Sequence, residues 1–276
     1  MKRACVIGWP ITHSRSPLIH GFWLRHYGID GTYTKVPVKA DDLESFLGSL
    51  RERGFAGCNV TVPHKEAAFA LAEIRDPSAL AVGAANTLWF ENDRLAAANT
   101  DTHGFIANLD SAAPAWRQQN GPVLVFGAGG SARAVVYGFL QAGRDDIRVF
   151  NRSPRRAEEL AQHFGASVTA WPWAARADQV PDAALIVNTT TLGMNGVGSL
   201  ELDFARGRQG AIAADLVYVP LETEFLRNAR TRGLIAVGGL GMLLHQAVPG
   251  FEKWFGVRPE VTRELYDLIA KDIGGA

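Results

Sequence analysis

The apolar run Val123-Leu124-Val125-Phe126 leads directly into Gly127-Ala128-Gly129-Gly130-Ser131-Ala132, and a helical stretch follows at once. Strand, glycine turn and helix in that order form the setting that a dinucleotide-binding fingerprint requires. The first glycine makes the tight turn, the second lets the backbone approach a pyrophosphate, and Ala132 lets the helix pack on the strand. The helix N-terminus then presents free N–H groups and a positive dipole end to phosphate oxygens. Such turns also serve merely to join a strand to a helix, so the pattern needs a second observation.

The next strand, Ile147-Arg148-Val149-Phe150, supplies it. An NAD enzyme places a ribose-binding carboxylate at the end of this strand. Here the chain reads Asn151-Arg152-Ser153-Pro154-Arg155-Arg156, with no acid. A carboxylate would repel a 2′-phosphate, whereas guanidinium forks and a hydroxyl receive it through charge-assisted hydrogen bonds. Ser153-Pro154 also reads as an ordinary helix start, with Ser as cap, Pro in the first turn and the arginines solvated. Both readings can hold together, because a capped helix N-terminus is itself an anion site. The cofactor inferred is NADP rather than NAD.

At 276 residues the chain can form one large domain or two smaller ones. Basic and acidic residues balance at 28 each, so no global field favours nucleic acid or an anionic membrane. Cys5 and Cys58 lie in apolar, strand-like runs and read as buried free thiols, which suits a reducing cytoplasm without need of a disulfide. The N-terminus enters a strand with no signal peptide, and the apolar stretch 233–244 is too short and glycine-rich to span a bilayer. The expectation is a soluble cytoplasmic protein with a small-molecule substrate and neither nucleic-acid nor membrane partner. Composition leaves its assembly, including a homodimer, open.

The first hundred residues alternate strand and helix signals, which predicts a largely parallel sheet. Strands are expected at 4–8, 33–38 and 57–62. Helices are expected at 17–27, after Asp41-Asp42, and from Pro63. The runs 87–90 and 95–98 flank Glu91-Asn92-Asp93 as a hairpin. A linking helix begins at Thr102. Beyond the glycine turn, 184–187 and 211–214 read as strands ending in Asn188-Thr189-Thr190 and Asp215. Ligands of open α/β sheets sit beyond the carboxyl ends of strands, which puts those polar ends near the cofactor. A final helix over 262–273 carries an apolar stripe.

Polar groups also gather at strand ends in the first half: Ser14, Ser16, Asn59, Thr61, Lys65, Asn86 and Asp101. Hydroxyls, amides, one ammonium and one carboxylate suit a polyhydroxylated carboxylic acid. No histidine or cysteine spacing suggests a metal. His13 and His64 adjoin the polar clusters. Each residue also has a plainer role: Asp101 as the cap of the helix at Thr102, Ser16-Pro17 as a helix start, Asn86 in a turn, Lys65 on the surface, Tyr218 in the core.

The chain resembles the shikimate dehydrogenase family nearly end to end. The resemblance is carried by Gly8-Trp9-Pro10-Ile11 with Ser14-Arg15-Ser16-Pro17, by Asn59-Val60-Thr61-Val62-Pro63-His64-Lys65, by Gly83-Ala84-Ala85-Asn86-Thr87 and by Asn99-Thr100-Asp101. In the second half it is carried by the glycine turn, Asn151-Arg152-Ser153, Asn188-Thr189-Thr190-Thr191-Leu192-Gly193-Met194, Asp215-Leu216-Val217-Tyr218, and Gly239-Leu240-Gly241-Met242 with Gln246. It implies an α/β architecture with an N-terminal substrate domain over 1–101, completed by C-terminal helices from about 240 to 276. A Rossmann-type NADP domain would cover 102–239, with the active site in the interdomain cleft.

The activity implied is NADPH-dependent reduction of 3-dehydroshikimate to shikimate, in aromatic amino-acid biosynthesis. Lys65 and Asp101 would be catalytic, and Ser14, Ser16, Asn59, Thr61, Asn86, Tyr218 and Gln246 would join them around the substrate. Gly127, Ala128, Gly129, Gly130, Ser131, Asn151, Arg152, Ser153, Arg156, Thr189, Leu216, Gly239 and Met242 would line the cofactor. One departure is Arg75-Asp76-Pro77-Ser78, which replaces a helix-favouring stretch. Pro77 stands where an acidic or polar residue is usual, so any contact from that side chain is lost or moves to Asp76. The alternatives are an NAD-accepting quinate/shikimate dehydrogenase and a noncatalytic NADPH-binding regulator. The first would need a carboxylate at 151–152, and the second would be signalled by loss of Lys65 or Asp101.

Overall fold

The computed structural model describes residues 1–274. The chain divides into two compact units: Met1–Thr102 with Leu244–Ile269, and His103–Leu243 with the described residues from Ala270.

The first unit holds β1 (Lys2–Gly8), β2 (Gly31–Pro37), β3 (Gly57–Val60), β4 (Ile74–Arg75), β5 (Thr87–Glu91) and β6 (Arg94–Ala98) in the order β2-β1-β3-β5-β6-β4. Its helices include α1 (Ser16–His26), α2 (Leu43–Gly48), α3 (Lys65–Leu71) and α4 (Pro77–Val82). β1 and β3 are central and buried almost throughout, which explains their near-continuous apolar runs. The sheet is mixed rather than largely parallel: β1 pairs in parallel with β2 and β3, whereas β5 runs antiparallel to both β3 and β6. The cause is the tight hairpin, whose Asn92 and Asp93 take φ of 49° and 67°. Two consecutive left-handed residues make a turn that reverses the chain directly.

The stretch around Pro77 also differs from expectation. Asp76 accepts hydrogen bonds from the Ser78 and Ala79 backbone N–H groups at 2.7 and 3.2 Å, and Pro77 opens α4. An N-cap carboxylate and a first-turn proline are favourable helix starters, so the helix forms without acidic residues. The Asp76 side chain is thereby committed to its own helix.

The second unit begins within α5 (Asp101–Ala112) and builds a parallel sheet from β7 (Val123–Phe126), β8 (Ile147–Phe150), β9 (Val168–Trp171), β10 (Leu185–Asn188), β11 (Ile212–Asp215) and β12 (Ile235–Val237). Helices α6 (Gly130–Gln141), α7 (Pro154–Phe164), α8 (Glu224–Thr231) and α9 (Gly239–His245) follow strands of this sheet. The order is β12-β11-β10-β7-β8-β9. Chain direction across the sheet reverses between β7 and β10, the switch point where open α/β sheets place ligands. Ala132, Val135, Val136 and Phe139 of α6 are fully buried, so the helix that follows the glycine turn is held against the sheet core.

The chain then returns to the first unit through α10 (Ala247–Phe255) and ends in α11 (Arg263–Gly274). The Trp254 indole donates to the Leu88 carbonyl at 2.9 Å. A Cβ on Gly57 would lie 2.2 Å from Trp254 Nε1, so the glycine at the start of β3 is what lets α10 seat. Each fully buried large side chain of this kind contributes about 1.5–3 kcal/mol.

Candidate functional site

Lys65 opens α3, and Asp101 opens α5 just after β6. Their side chains meet: Lys65 Nζ lies 2.8 Å from Asp101 Oδ2, with the side chains 31% and 15% exposed. Asn86 Nδ2 donates to the other carboxylate oxygen at 2.8 Å. The Asn86 amide cannot turn over, because its Oδ1 accepts from the Thr100 N–H at 2.8 Å. Thr100 and Thr87 hydroxyls reach the same oxygen at 3.0 Å each. Asn99 completes the lock by accepting from the Asp101 N–H at 3.1 Å and donating to the Ala84 carbonyl at 3.0 Å. Lys65 therefore presents an oriented ammonium at a half-open position, the arrangement needed to hold an oxygen atom and give it a proton.

The other predicted substrate residues of the first unit fall into two kinds. The Ser14 and Ser16 hydroxyls lie 3.3 Å apart. Ser16 is inside α1 rather than its cap, a place taken by Arg15. Thr61 is half-buried beyond β3, and a Cβ on Gly8 would come within 2.6 Å of its methyl, so Gly8 gives that side chain room. Asn59 is different. It is buried, takes the Tyr33 hydroxyl on Oδ1 at 2.6 Å, and donates from Nδ2 to the Asn86 carbonyl and Thr87 hydroxyl at 3.0 and 3.1 Å. Its polar atoms are spent inside the fold, so it braces the site. His64 is likewise buried, with Nε2 2.7 Å from the Val38 carbonyl. Gln246 is half-buried at the start of α10.

In the second unit, Gly127 has a φ of +113° that only glycine adopts without strain, and a Cβ there would lie 2.4 Å from Thr189 Oγ1. The glycine turn and the β10 loop are thus packed together at the switch point, with Thr189 Oγ1 donating to the Phe126 carbonyl at 2.7 Å. By contrast, a Cβ on Gly129 or Gly130 would meet nothing within 4 Å. Ser131 is exposed and Ala128 half-buried, so the first turn of α6 opens outward. That free cradle, at a helix N-terminus with a buried shaft, fits a pyrophosphate.

Beyond β8, Asn151 donates to the Ser153 carbonyl at 2.9 Å and shapes the turn. Ser153 is the N-cap of α7, yet its hydroxyl makes no capping bond. Arg152 and Arg156 are exposed, whereas Arg155 pairs with Glu159 at 2.7 Å. An uncommitted hydroxyl and two free guanidinium groups fit the extra phosphate of NADP.

Asn188 and Asp215, expected near the cofactor, point inward. Asp215 accepts from Asn188 Nδ2 at 2.9 Å, the Thr223 hydroxyl at 2.6 Å and the Val217 N–H at 3.0 Å. Burial outweighs these bonds and raises its carboxyl to about 6. The pair fixes the loop bearing Leu216 and Tyr218, both half-buried. Gly239 gives that loop its room, since a Cβ there would lie 2.3 Å from the Leu216 carbonyl oxygen. Met242 and Leu216 pack half-buried against the core of this unit.

Three bracing residues escaped the sequence reading. Thr87 and Thr100 lie inside motifs already noted, where short polar residues following an apolar strand were the available signal. Tyr33 had a weaker one, an aromatic residue among the polar residues Thr32, Thr34 and Lys35, and it is the one buried position of β2.

Residues 6–88 match the shikimate dehydrogenase substrate binding domain, residues 111–195 the shikimate / quinate 5-dehydrogenase family, and residues 239–263 the shikimate 5′-dehydrogenase C-terminal domain. The chain is 55% identical over 278 residues to a protein of Brucella canis named shikimate dehydrogenase (NADP(+)), covering 100% of this chain and 96% of that one. A protein of the same name from Mesorhizobium japonicum is 56% identical over 272 residues, covering 99% and 97%. The crystal structure of shikimate 5-dehydrogenase from Thermus thermophilus in complex with NADP(H) and shikimate superposes with a TM-score of 0.86 at 36% identity, covering 99% of this chain and 100% of that one. With likeness of that depth running through the whole length, the chain belongs to the shikimate dehydrogenase family.

Proposed function

We propose that the protein catalyses the reversible, NADPH-dependent reduction of 3-dehydroshikimate to shikimate, a step of aromatic amino-acid biosynthesis. The observation that carries this reading is the ammonium of Lys65 held on one oxygen of Asp101 while Asn86 holds the other. Likeness over the full chain to enzymes named for this reaction supports it.

Bound NADPH supplies the hydride, which goes to the ketone carbon. The residues of this chain manage everything else. As the ketone oxygen gains negative charge, Lys65 stabilises it and delivers the proton that makes it a hydroxyl. Asp101 fixes the direction of the ammonium and accepts from a neighbouring ring hydroxyl. In the reverse reaction the same pair removes the hydroxyl proton. Ser14 and Ser16 receive the substrate carboxylate, and Thr61, Asn86, Tyr218 and Gln246 bind hydroxyls; each is a hydroxyl or amide suited to that partner. Asn59 acts from behind, through Asn86.

In this reading residues 1–101, with the C-terminal helices from about 240 to 276, form the substrate domain, and residues 102–239 the NADP domain. Gly127 to Ser131 receive the pyrophosphate, Asn151, Arg152, Ser153 and Arg156 the 2′-phosphate, and Thr189, Leu216, Gly239 and Met242 the nicotinamide half. Two free, buried cysteines suit a cytoplasmic enzyme. No helix among the described residues is long and apolar enough to cross a membrane.

The test is direct. Purified protein given shikimate and NADP+ is expected to form NADPH, followed by its absorbance. Absence of turnover with shikimate or 3-dehydroshikimate, with either nucleotide, would overturn the proposal.

A further inference from the structure

The brace behind Lys65 has a direction. Tyr33 is buried, and burial pushes its phenol well above the ordinary value, so it keeps its proton. Its ring stacks on His20 with centroids 3.9 Å apart and planes 9° from parallel. Neither nitrogen of His20 makes a hydrogen bond of good geometry, and burial outweighs the nearby Asn59 side chain to lower this imidazole to about 3. His20 is thus a neutral plate that fixes the plane of the phenol.

From there each donor determines the next. Tyr33 donates to Asn59 Oδ1 at 2.6 Å, which turns Asn59 Nδ2 toward Thr87 Oγ1 at 3.1 Å. Thr87 has one proton, and Asn86 Oδ1 at 3.0 Å is its nearer acceptor, with Thr100 Oγ1 at 3.2 Å the other. The Thr100 N–H on the same oxygen agrees, so Asn86 Nδ2 faces Asp101 Oδ1 at 2.8 Å. Asp101 Oδ2 is left for Lys65. The series starts at a phenol and ends at a carboxylate, with the Asn86 carbonyl and the Thr100 N–H holding the two amides the same way round.

We propose that Tyr33 is a remote positioning residue, which tightens the hold on Asp101, and so the aim of Lys65, through Asn59, Thr87 and Asn86. The proposal deepens the reading of the same site, and its kinetic arm rests on that reading. Removing the phenol hydroxyl leaves a buried carbonyl oxygen without its donor, which is more disruptive than the bond's net contribution suggests.

The test is Tyr33→Phe in the full chain, with folding checked by thermal melting. The expected result is a fall in kcat for shikimate oxidation of about fivefold or more with KM within about twofold, since the loss is in the aim of Lys65. Lys65, freed from its carboxylate, should also be acylated faster by a succinimidyl ester in the absence of substrate, read by peptide mass spectrometry. Thr87→Val interrupts the series at its middle and should reproduce both changes, and Thr87→Ser should recover most of each. A folded Tyr33→Phe protein with unchanged kcat and unchanged Lys65 acylation overturns the proposal, as does a change in KM alone. Should Tyr33→Phe fail to fold, the two Thr87 variants decide by the same readouts. Should the wild type not turn over shikimate, the proposed reaction fails while Lys65 acylation still decides the relay.

Discussion

Lys65 and Asp101 stand 36 residues apart in the chain and 2.8 Å apart in the fold. The contact joins the first residue of one helix to the first residue of another, and Asn86 closes it from the far oxygen. Lys65→Ala is expected to lower kcat by roughly 10²- to 10⁴-fold, the usual contribution of a positioned general acid. KM for shikimate should stay within about threefold, because carboxylate and hydroxyl contacts remain. Steady-state kinetics in the direction of shikimate oxidation checks both numbers.

Arg152 and Arg156 are exposed beside the uncapped hydroxyl of Ser153. Arg152→Ala should raise KM for NADP+ by about tenfold or more, the value of a charge-assisted hydrogen bond. KM for NAD+, which lacks the 2′-phosphate, should barely move. Equal effects on both nucleotides would place the 2′-phosphate elsewhere.

Two glycines of the same turn should respond in opposite ways. Gly127→Ala forces a Cβ to 2.4 Å from Thr189 Oγ1 at a φ of +113° and should destabilise the fold by about 1–3 kcal/mol. Gly129→Ala meets nothing within 4 Å at an ordinary φ of −92°. Its melting temperature should be close to wild type while its KM for NADP+ rises, because the new methyl would fill the space where the proposed function seats the pyrophosphate. Melting curves and nucleotide titrations of the two variants separate the roles.

Much of this architecture is legible in the sequence where one local rule decides the outcome. The apolar runs 123–126 and 147–150 are strands within those bounds, and the turn at Asn92-Asp93 reads directly from its residue types. Elements that depend on partners far along the chain are not legible. β4 has two residues and exists only by pairing with β6, and β12 has three and pairs with β11. α4 was obscured by Pro77, whose effect depends on whether Asp76 caps the turn. At the site, the residue types of Lys65, Asn86 and Asp101 are visible at strand ends, but their meeting is a property of the fold. The inward turn of Asn59, Asn188 and Asp215 is hidden for the same reason: polar residues at strand ends read alike whether they face a ligand or one another.

Two buried titratable groups bend the stability curve in opposite directions. His20 is lowered from 6.5 to about 3, chiefly by burial. Between those values only the unfolded chain binds the proton, so stability falls as pH drops, at about 1.4 kcal/mol per pH unit at most. Asp215 is raised from 3.8 to about 6, again chiefly by burial, so there the folded chain holds the proton and stability falls as pH rises toward 6. His20→Phe should therefore gain stability over wild type more at pH 5 than at pH 7.5. Asp215→Asn should do the reverse, faring better against wild type at pH 7 than at pH 4.5. Melting temperatures of the three proteins across this range test both signs.

Reaction, cofactor and substrate are decided together by kcat/KM for shikimate oxidation with NADP+ and with NAD+, measured side by side and repeated with quinate in place of shikimate. Efficient turnover of shikimate with NADP+ is expected, with much weaker turnover with NAD+ and little with quinate. Comparable rates with NAD+ or with quinate would contradict the assigned cofactor and substrate, and no turnover in any combination would contradict the reaction itself.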